Sequence, residues 1–159
     1  MKKEMSRRSF LKAGTAAAIG LSMTPGSMFA GVDAKKKKKG AKDAKLKILA
    51  VGIGGRGAGV LRGLETEDII GLCDVDWKYA APIFERYPNV KRYNDYKVMF
   101  AEMLDQCDAV VCATADHTHA IICAEAIAAG KHVYCEKPLT HSVYESRLLT
   151  KLAAKHKVA

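Results

Sequence analysis

The chain has 159 residues, 49% apolar and 27% charged, which leaves room for one ordinary domain rather than two and excludes a disordered polyelectrolyte. Its formal net charge of +9 is confined to residues 1–45, where twelve Lys or Arg face only Glu4, Asp33 and Asp43. Residues 46–159 carry fourteen basic and fourteen acidic residues, so the basicity is no argument for a nucleic-acid partner and none is expected.

Residues 1–34 read as a targeting segment. A basic stretch over 1–8 precedes an uncharged run over 13–32. That run has the length of a membrane span, but glycines, Ser and Thr dilute it and Pro25-Gly26 breaks a helix near its end. No stable membrane insertion is therefore expected. Ser6-Arg7-Arg8-Ser9-Phe10-Leu11-Lys12 resembles the twin-arginine export motif, which implies a protein exported already folded to the periplasm or another extracytoplasmic space, with cleavage after Ala30 or Ala34. Residues 35–45, with five consecutive lysines, read as a solvated, self-repelling linker, because no aromatic is interleaved for base stacking.

From residue 46 onward, apolar strand-like runs alternate with helix-period segments. In chain order the pattern predicts a strand over 46–51, a helix over 57–65 after a glycine turn, and a strand over 69–73. A helix follows over 77–86, with Pro82 as a first-turn residue or a kink, then a short strand over 90–93. The helix over 96–104 gathers Met99, Phe100, Met103 and Leu104 on one face. A fully apolar strand over 109–113, a helix over 119–129 stopped by Gly130, a strand over 132–135 and an amphipathic helix over 143–156 complete the series. The alternation predicts an α/β fold, a doubly wound parallel sheet of Rossmann type in the order 3-2-1-4-5. Such sheets bind ligands beyond the carboxyl ends of their strands, which directs attention to the residues after Val51, Cys73, Ala113 and Cys135.

Three constellations lie there. Gly52-Ile53-Gly54-Gly55-Arg56-Gly57 is a G-x-G-x-x-G that follows a strand, opens a helix and has an acid, Asp74, at the end of the next strand. Gly52 makes the tight turn, Gly54 lets backbone N–H groups approach a pyrophosphate, and Gly57 allows close helix–strand packing. Asp74 is expected to accept hydrogen bonds from an adenosine ribose and to repel a 2′-phosphate, favouring NAD over NADP; Arg56 weakens that preference because it can reach a phosphate. Asp76 reads as a helix cap.

After the fourth strand comes Thr114-Ala115-Asp116-His117-Thr118-His119. Asp116 is a good N-cap, and the loop as a whole is placed against a nicotinamide ribose, with His117 or His119 near the reaction centre. The two histidines are two residues apart and share no helix face, so no metal is expected on them. After the fifth strand, Glu136-Lys137-Pro138 offers a ribose-hydroxyl acceptor and an ammonium able to assist proton transfer at a carbinol oxygen, with Pro138 fixing the turn. The alternative for this turn is an ordinary solvated ion pair. The five cysteines, at 73, 107, 112, 123 and 135, form no C-x-x-C pair and match no zinc spacing, so they read as small buried hydrophobes.

The glycine fingerprint, Asp74, the 114–119 loop and above all Ala129-Gly130-Lys131-His132-Val133-Tyr134-Cys135-Glu136-Lys137-Pro138-Leu139 resemble the Gfo/Idh/MocA oxidoreductase family, over residues 46–159. The resemblance implies an NAD(P)-binding domain whose Lys137 assists proton transfer beside the nicotinamide and whose Glu136 contacts the cofactor ribose. Gly52, Ile53, Gly54, Gly55, Arg56, Gly57, Asp74, Thr114, Asp116, His117 and His119 are the other expected cofactor contacts, and His119 is the second catalytic candidate. Where that family reads Thr-Pro-Asn, this chain reads Thr114-Ala115-Asp116. The resemblance further implies a sugar or polyol-like substrate held by a second domain, which would also supply any oligomer interface and has no counterpart in these residues. An NAD-dependent glycosidase half and a non-catalytic nucleotide-binding module are the alternatives.

Overall fold

A computed structural model describes residues 44–159; the expected leader, and all but the last residues of the expected linker, lie outside the described residues. Strands β1 (Lys47–Val51), β2 (Asp68–Cys73), β3 (Lys91–Tyr93), β4 (Ala109–Cys112) and β5 (His132–Cys135) form one parallel sheet in the order β3-β2-β1-β4-β5. Helices α1 (Gly55–Arg62), α2 (Ala81–Arg86), α3 (Tyr96–Met103), α4 (Asp116–Ala128) and α5 (Val143–His156) connect and follow them, with a 3₁₀ turn over Leu104–Gln106. The sheet order and the parallel pairing are those that the strand–helix alternation predicts.

The period-two geometry of β1 sorts its residues between two cores. Ile48 and Ala50 join Leu61, Leu72, Ile83 and Phe84 under α1 and α2. Leu49 and Val51 join Met99, Phe100, Val110, Ile122 and Leu149 under α3, α4 and α5. Covering both faces is what a parallel sheet requires, and it explains why β4 is apolar throughout. Among the described residues no helix is long and apolar enough to cross a membrane.

Several boundaries differ from the sequence expectation, each for a local reason. Helix α1 starts at Gly55, because the glycine turn itself winds into the first helical turn. Helix α2 starts only at Ala81: residues 77–80 form a turn in which the Tyr79 N–H donates to Asp76 Oδ1 at 2.9 Å. Pro82 then occupies the first turn of α2, where a missing N–H costs nothing. Helix α4 starts at Asp116 with Ala115 as its N-cap, so Asp116 is not the cap. Its carboxylate acts from inside the first turn, through the helix dipole. At α5, Ser142 and Glu145 make a reciprocal capping box.

The closest helix–strand contact is at Gly57, where a Cβ would overlap the Gly52 carbonyl oxygen and stand 2.9 Å from its carbon. Both atoms are backbone and have nowhere to go. Gly57→Ala is therefore expected to cost about 3 kcal/mol, the upper part of the range for forced core expansion. Gly59→Ala in the same helix meets only the end of the Arg62 side chain, at 3.7 Å, and should be neutral or stabilising by up to ~1 kcal/mol. Urea unfolding of the two variants beside the parent chain checks the contrast.

Candidate functional site

The loops after β1, β2, β4 and β5 meet at one end of the sheet. Backbone bonds carry the ladder past the strand ends: Gly52 N–H donates to Cys73 O at 2.9 Å, Ala113 N–H to Val51 O at 2.9 Å, and Glu136 N–H to Cys112 O at 2.9 Å. Gly52 takes φ +77°, and a Cβ there would lie 2.7 Å from the backbone of Ala113 and Thr114. Only glycine allows the first loop to lie flat on the fourth.

Asp74, half-buried at the mouth, braces the glycine turn. Its Oδ2 accepts the N–H of Ile53 at 2.9 Å and of Gly54 at 3.0 Å, and its Oδ1 accepts the N–H of Asp76 at 3.0 Å. In this structure the Gly54 N–H is thus taken up by Asp74. The side chain of Ile53 is buried in the core under α1, so only its backbone belongs to the turn. The exposed Tyr79 ring lies across Gly54 and Gly55 where their Cβ atoms would stand.

The glycine turn and the loop after β5 are tied by an ion pair: Arg56 Nε donates to Glu136 Oε1 at 3.0 Å. The Tyr134 hydroxyl donates to the same oxygen at 3.2 Å, and the Lys137 N–H donates to Oε2 at 3.2 Å. Burial disfavours the Glu136 carboxylate, but the Lys137 N–H, the Arg56 guanidinium and the Tyr134 hydroxyl together outweigh it and hold the group below the usual carboxylate range. The Lys137–Pro138 bond is cis. The Lys137 side chain is exposed and makes no hydrogen bond or ion pair among the described residues.

On the far side, Asp116 and His117 are exposed at the start of α4, and Thr114 accepts a hydrogen bond from the Thr118 hydroxyl at 2.7 Å. A cavity of about 770 Å³ opens there, lined by Gly52, Gly54, Asp74, Asn94, Thr114 and His117 among others. His119 does not line it. Only 1% exposed, it stands with Nδ1 2.8 Å from Pro138 O and Nε2 3.1 Å from Thr114 O. Both ring nitrogens face backbone carbonyls, and the ring N–H donates to one of them according to its tautomer. In this arrangement His119 ties the loops after β4 and β5 together.

The sequence reading missed Tyr79, Asn94 and Tyr134. The Asp74-x-Asp76 turn and the Asn94-Asp95 step after β3 were the available signals, since both place polar residues just past strand ends. Nor did spacing reveal that the Sγ atoms of Cys112, Cys123 and Cys135 all lie within 4.8 Å of one another.

An open parallel sheet whose glycine turn, strand-two acid and fourth loop line one cavity, with the fifth loop tied beside it through Arg56 and His119, defines a dinucleotide-binding domain of the Rossmann class. Residues 46–159 match the Gfo/Idh/MocA model, described as an oxidoreductase family with an NAD-binding Rossmann fold, and the chain belongs to that family. It is 31% identical over 99 residues to an inositol 2-dehydrogenase of Salmonella paratyphi B, covering 59% of this chain and 29% of that protein. It is 34% identical over 103 residues to an inositol 2-dehydrogenase of Acidothermus cellulolyticus, covering 62% and 30%. Among solved structures, GenD2 from gentamicin A biosynthesis, in complex with NAD, matches with TM-score 0.64 and 28% identity over 77% of this chain and 35% of that one. The WlbA dehydrogenase of Chromobacterium violaceum, in complex with NADH and UDP-GlcNAcA, matches with TM-score 0.63 and 25% identity over 74% and 34%. The chain spans about a third of the length of these relatives.

Two outcomes follow from the geometry. His119→Phe keeps a planar ring but removes the N–H that serves one of the Thr114 and Pro138 carbonyls, and is expected to cost about 1–3 kcal/mol in urea unfolding. The stabilisation from the depressed Glu136 is fully present above the ordinary carboxylate value of about 4.3 and is lost as pH falls through its lower folded-state value. The stability gap between the parent and Glu136→Gln should thus be constant near neutrality and close on acidification, as chemical unfolding across pH will read.

Proposed function

We propose that this domain binds NAD in preference to NADP and serves, with a substrate-binding domain, in hydride transfer at a carbinol carbon of a sugar or polyol-like substrate. The observation that carries the reading is the charge at the mouth of the crevice. Asp74 presents a half-buried carboxylate there, while the arginine of the glycine turn is held by Glu136. A 2′-phosphate beside Asp74 would meet the repulsion of that carboxylate, while Arg56 directs its Nε to Glu136.

The residues fit a dinucleotide. The glycine turn opens helix α1, whose N-terminal dipole favours a phosphate, and the cavity beside it falls within the ~300–1,000 Å³ of small-molecule sites. When bound, the nicotinamide supplies or accepts the hydride. Glu136 uses three of its roughly four acceptor positions within the domain, which leaves one for a ribose hydroxyl. Lys137 Nζ carries the proton that assists the substrate oxygen. Its exposure within this domain fits a reaction chamber that residues outside 44–159 complete, since proton relay by a lysine calls for desolvation. The motif at residues 6–12 supports export of the folded protein.

Calorimetric titration of the chain should give a dissociation constant for NAD at least about tenfold below that for NADP, a difference of ~1.4 kcal/mol. Asp74→Asn keeps an acceptor oxygen but removes the charge, and should narrow that ratio. Equal affinities in the parent chain would overturn the preference. In the protein with its substrate-binding residues, Lys137→Met should abolish hydride transfer while leaving nucleotide affinity largely intact.

A further inference from the structure

Three sulfurs cluster beneath the two loops, within the core under α3, α4 and α5. Cys112 ends β4, Cys135 ends β5 directly beside it in register, and Cys123 comes from α4, which packs over the sheet. Three thiols from three separate elements thus converge, with no carboxylate or imidazole grouped with them among the described residues. We propose that Cys112, Cys123 and Cys135 form a three-sulfur binding site for a soft d¹⁰ cation, copper(I).

Ligand type and number select the ion. Purely sulfur donors favour soft cations over calcium, magnesium or manganese, whereas structural zinc closes a tetrahedron with a fourth ligand that the group does not offer. A metal–sulfur bond of ~2.3 Å places three sulfurs around a trigonal ion about 4 Å apart. The present separations, all within 4.8 Å, need a contraction of less than about 1 Å, well inside side-chain rotation. Cys112 and Cys123 are shut off from solvent, and the partly exposed Cys135 gives the way in. Each sulfur that binds as a thiolate loses its S–H proton to solvent, and the metal keeps its oxidation state throughout.

The position gives the site a consequence. Cys112 precedes Ala113-Thr114 and Cys135 precedes Glu136-Lys137, with Cys112 Sγ 3.5 Å from Thr114 Oγ1 and Cys135 Sγ 3.5 Å from Leu139 O. An ion bridging the three sulfurs would pin the roots of the two loops that His119 joins above.

The test is anaerobic titration of the reduced 159-residue chain with copper(I) held by a chromophoric bidentate chelator. One equivalent should be withdrawn per chain, with a thiolate-to-copper absorption in the near ultraviolet, about three sulfur scatterers by X-ray absorption, and a raised melting temperature. Cys123→Ser and Cys135→Ser should each weaken retention at least tenfold, while Cys73→Ser and Cys107→Ser retain it. Should a cluster variant fail to fold, the scattering of the parent chain decides alone. No withdrawal of copper, two or fewer sulfur scatterers, equal loss in Cys73→Ser or Cys107→Ser, or closure of a Cys112–Cys135 disulfide in place of copper retention would each overturn the site.

Discussion

The backbone of helix α1 rests on the carbonyl of Gly52 at a distance that admits no Cβ at Gly57, and Gly52 in turn rests on Ala113 and Thr114. Helix, first strand and fourth loop are therefore stacked backbone on backbone at the place where the sheet order turns from β2-β1 to β1-β4. That stacking sets the N-terminus of α1 over the crevice rather than beside it. A side chain anywhere in the stack would lift one layer off another, and the loops would lose their common centre.

Two carboxylates then fix the loops on this base, and they do so unequally. The Arg56–Glu136 pair joins a largely exposed guanidinium, 70% accessible, to a carboxylate that is 7% accessible. Solvent screening on the arginine side limits such a pair to ~0–1 kcal/mol, so its value is positional: it holds the glycine turn and the Glu136-Lys137 turn in register. Asp74 works differently. It accepts three backbone N–H groups, of which the part-buried pair at Ile53 and Gly54 would each cost about 1–3 kcal/mol if left unpaired. Shaping the turn and presenting negative charge at the mouth are therefore one function of one carboxylate.

Family membership and fold were legible because their signals are local. The apolar run of β1, the glycine turn after it, and the acid closing β2 lie close together in the chain and need no partner to be recognised. The start of α4 was not, since Asp116 has the chemistry of a cap and the backbone placed Ala115 there instead. His119 shows the same limit more sharply. Its neighbours in sequence suggest chemistry, while its neighbours in space are two carbonyls from two loops, one against each ring nitrogen. The cysteines follow suit: their separations along the chain match no ligand spacing, yet parallel register and the return of α4 bring three sulfurs together.

By itself the sequence determined the class of fold and the end of the sheet at which the glycine turn, Asp74 and the Glu136-Lys137-Pro138 turn stand. Tertiary structure alone decided which side chains meet: Arg56 with Glu136, His119 with the Thr114 and Pro138 carbonyls, Cys112 with Cys123 and Cys135. The division has a physical cause. Hydrophobic period and turn chemistry are properties of a few consecutive residues, whereas strand register and helix seating are settled by packing between segments far apart in the chain.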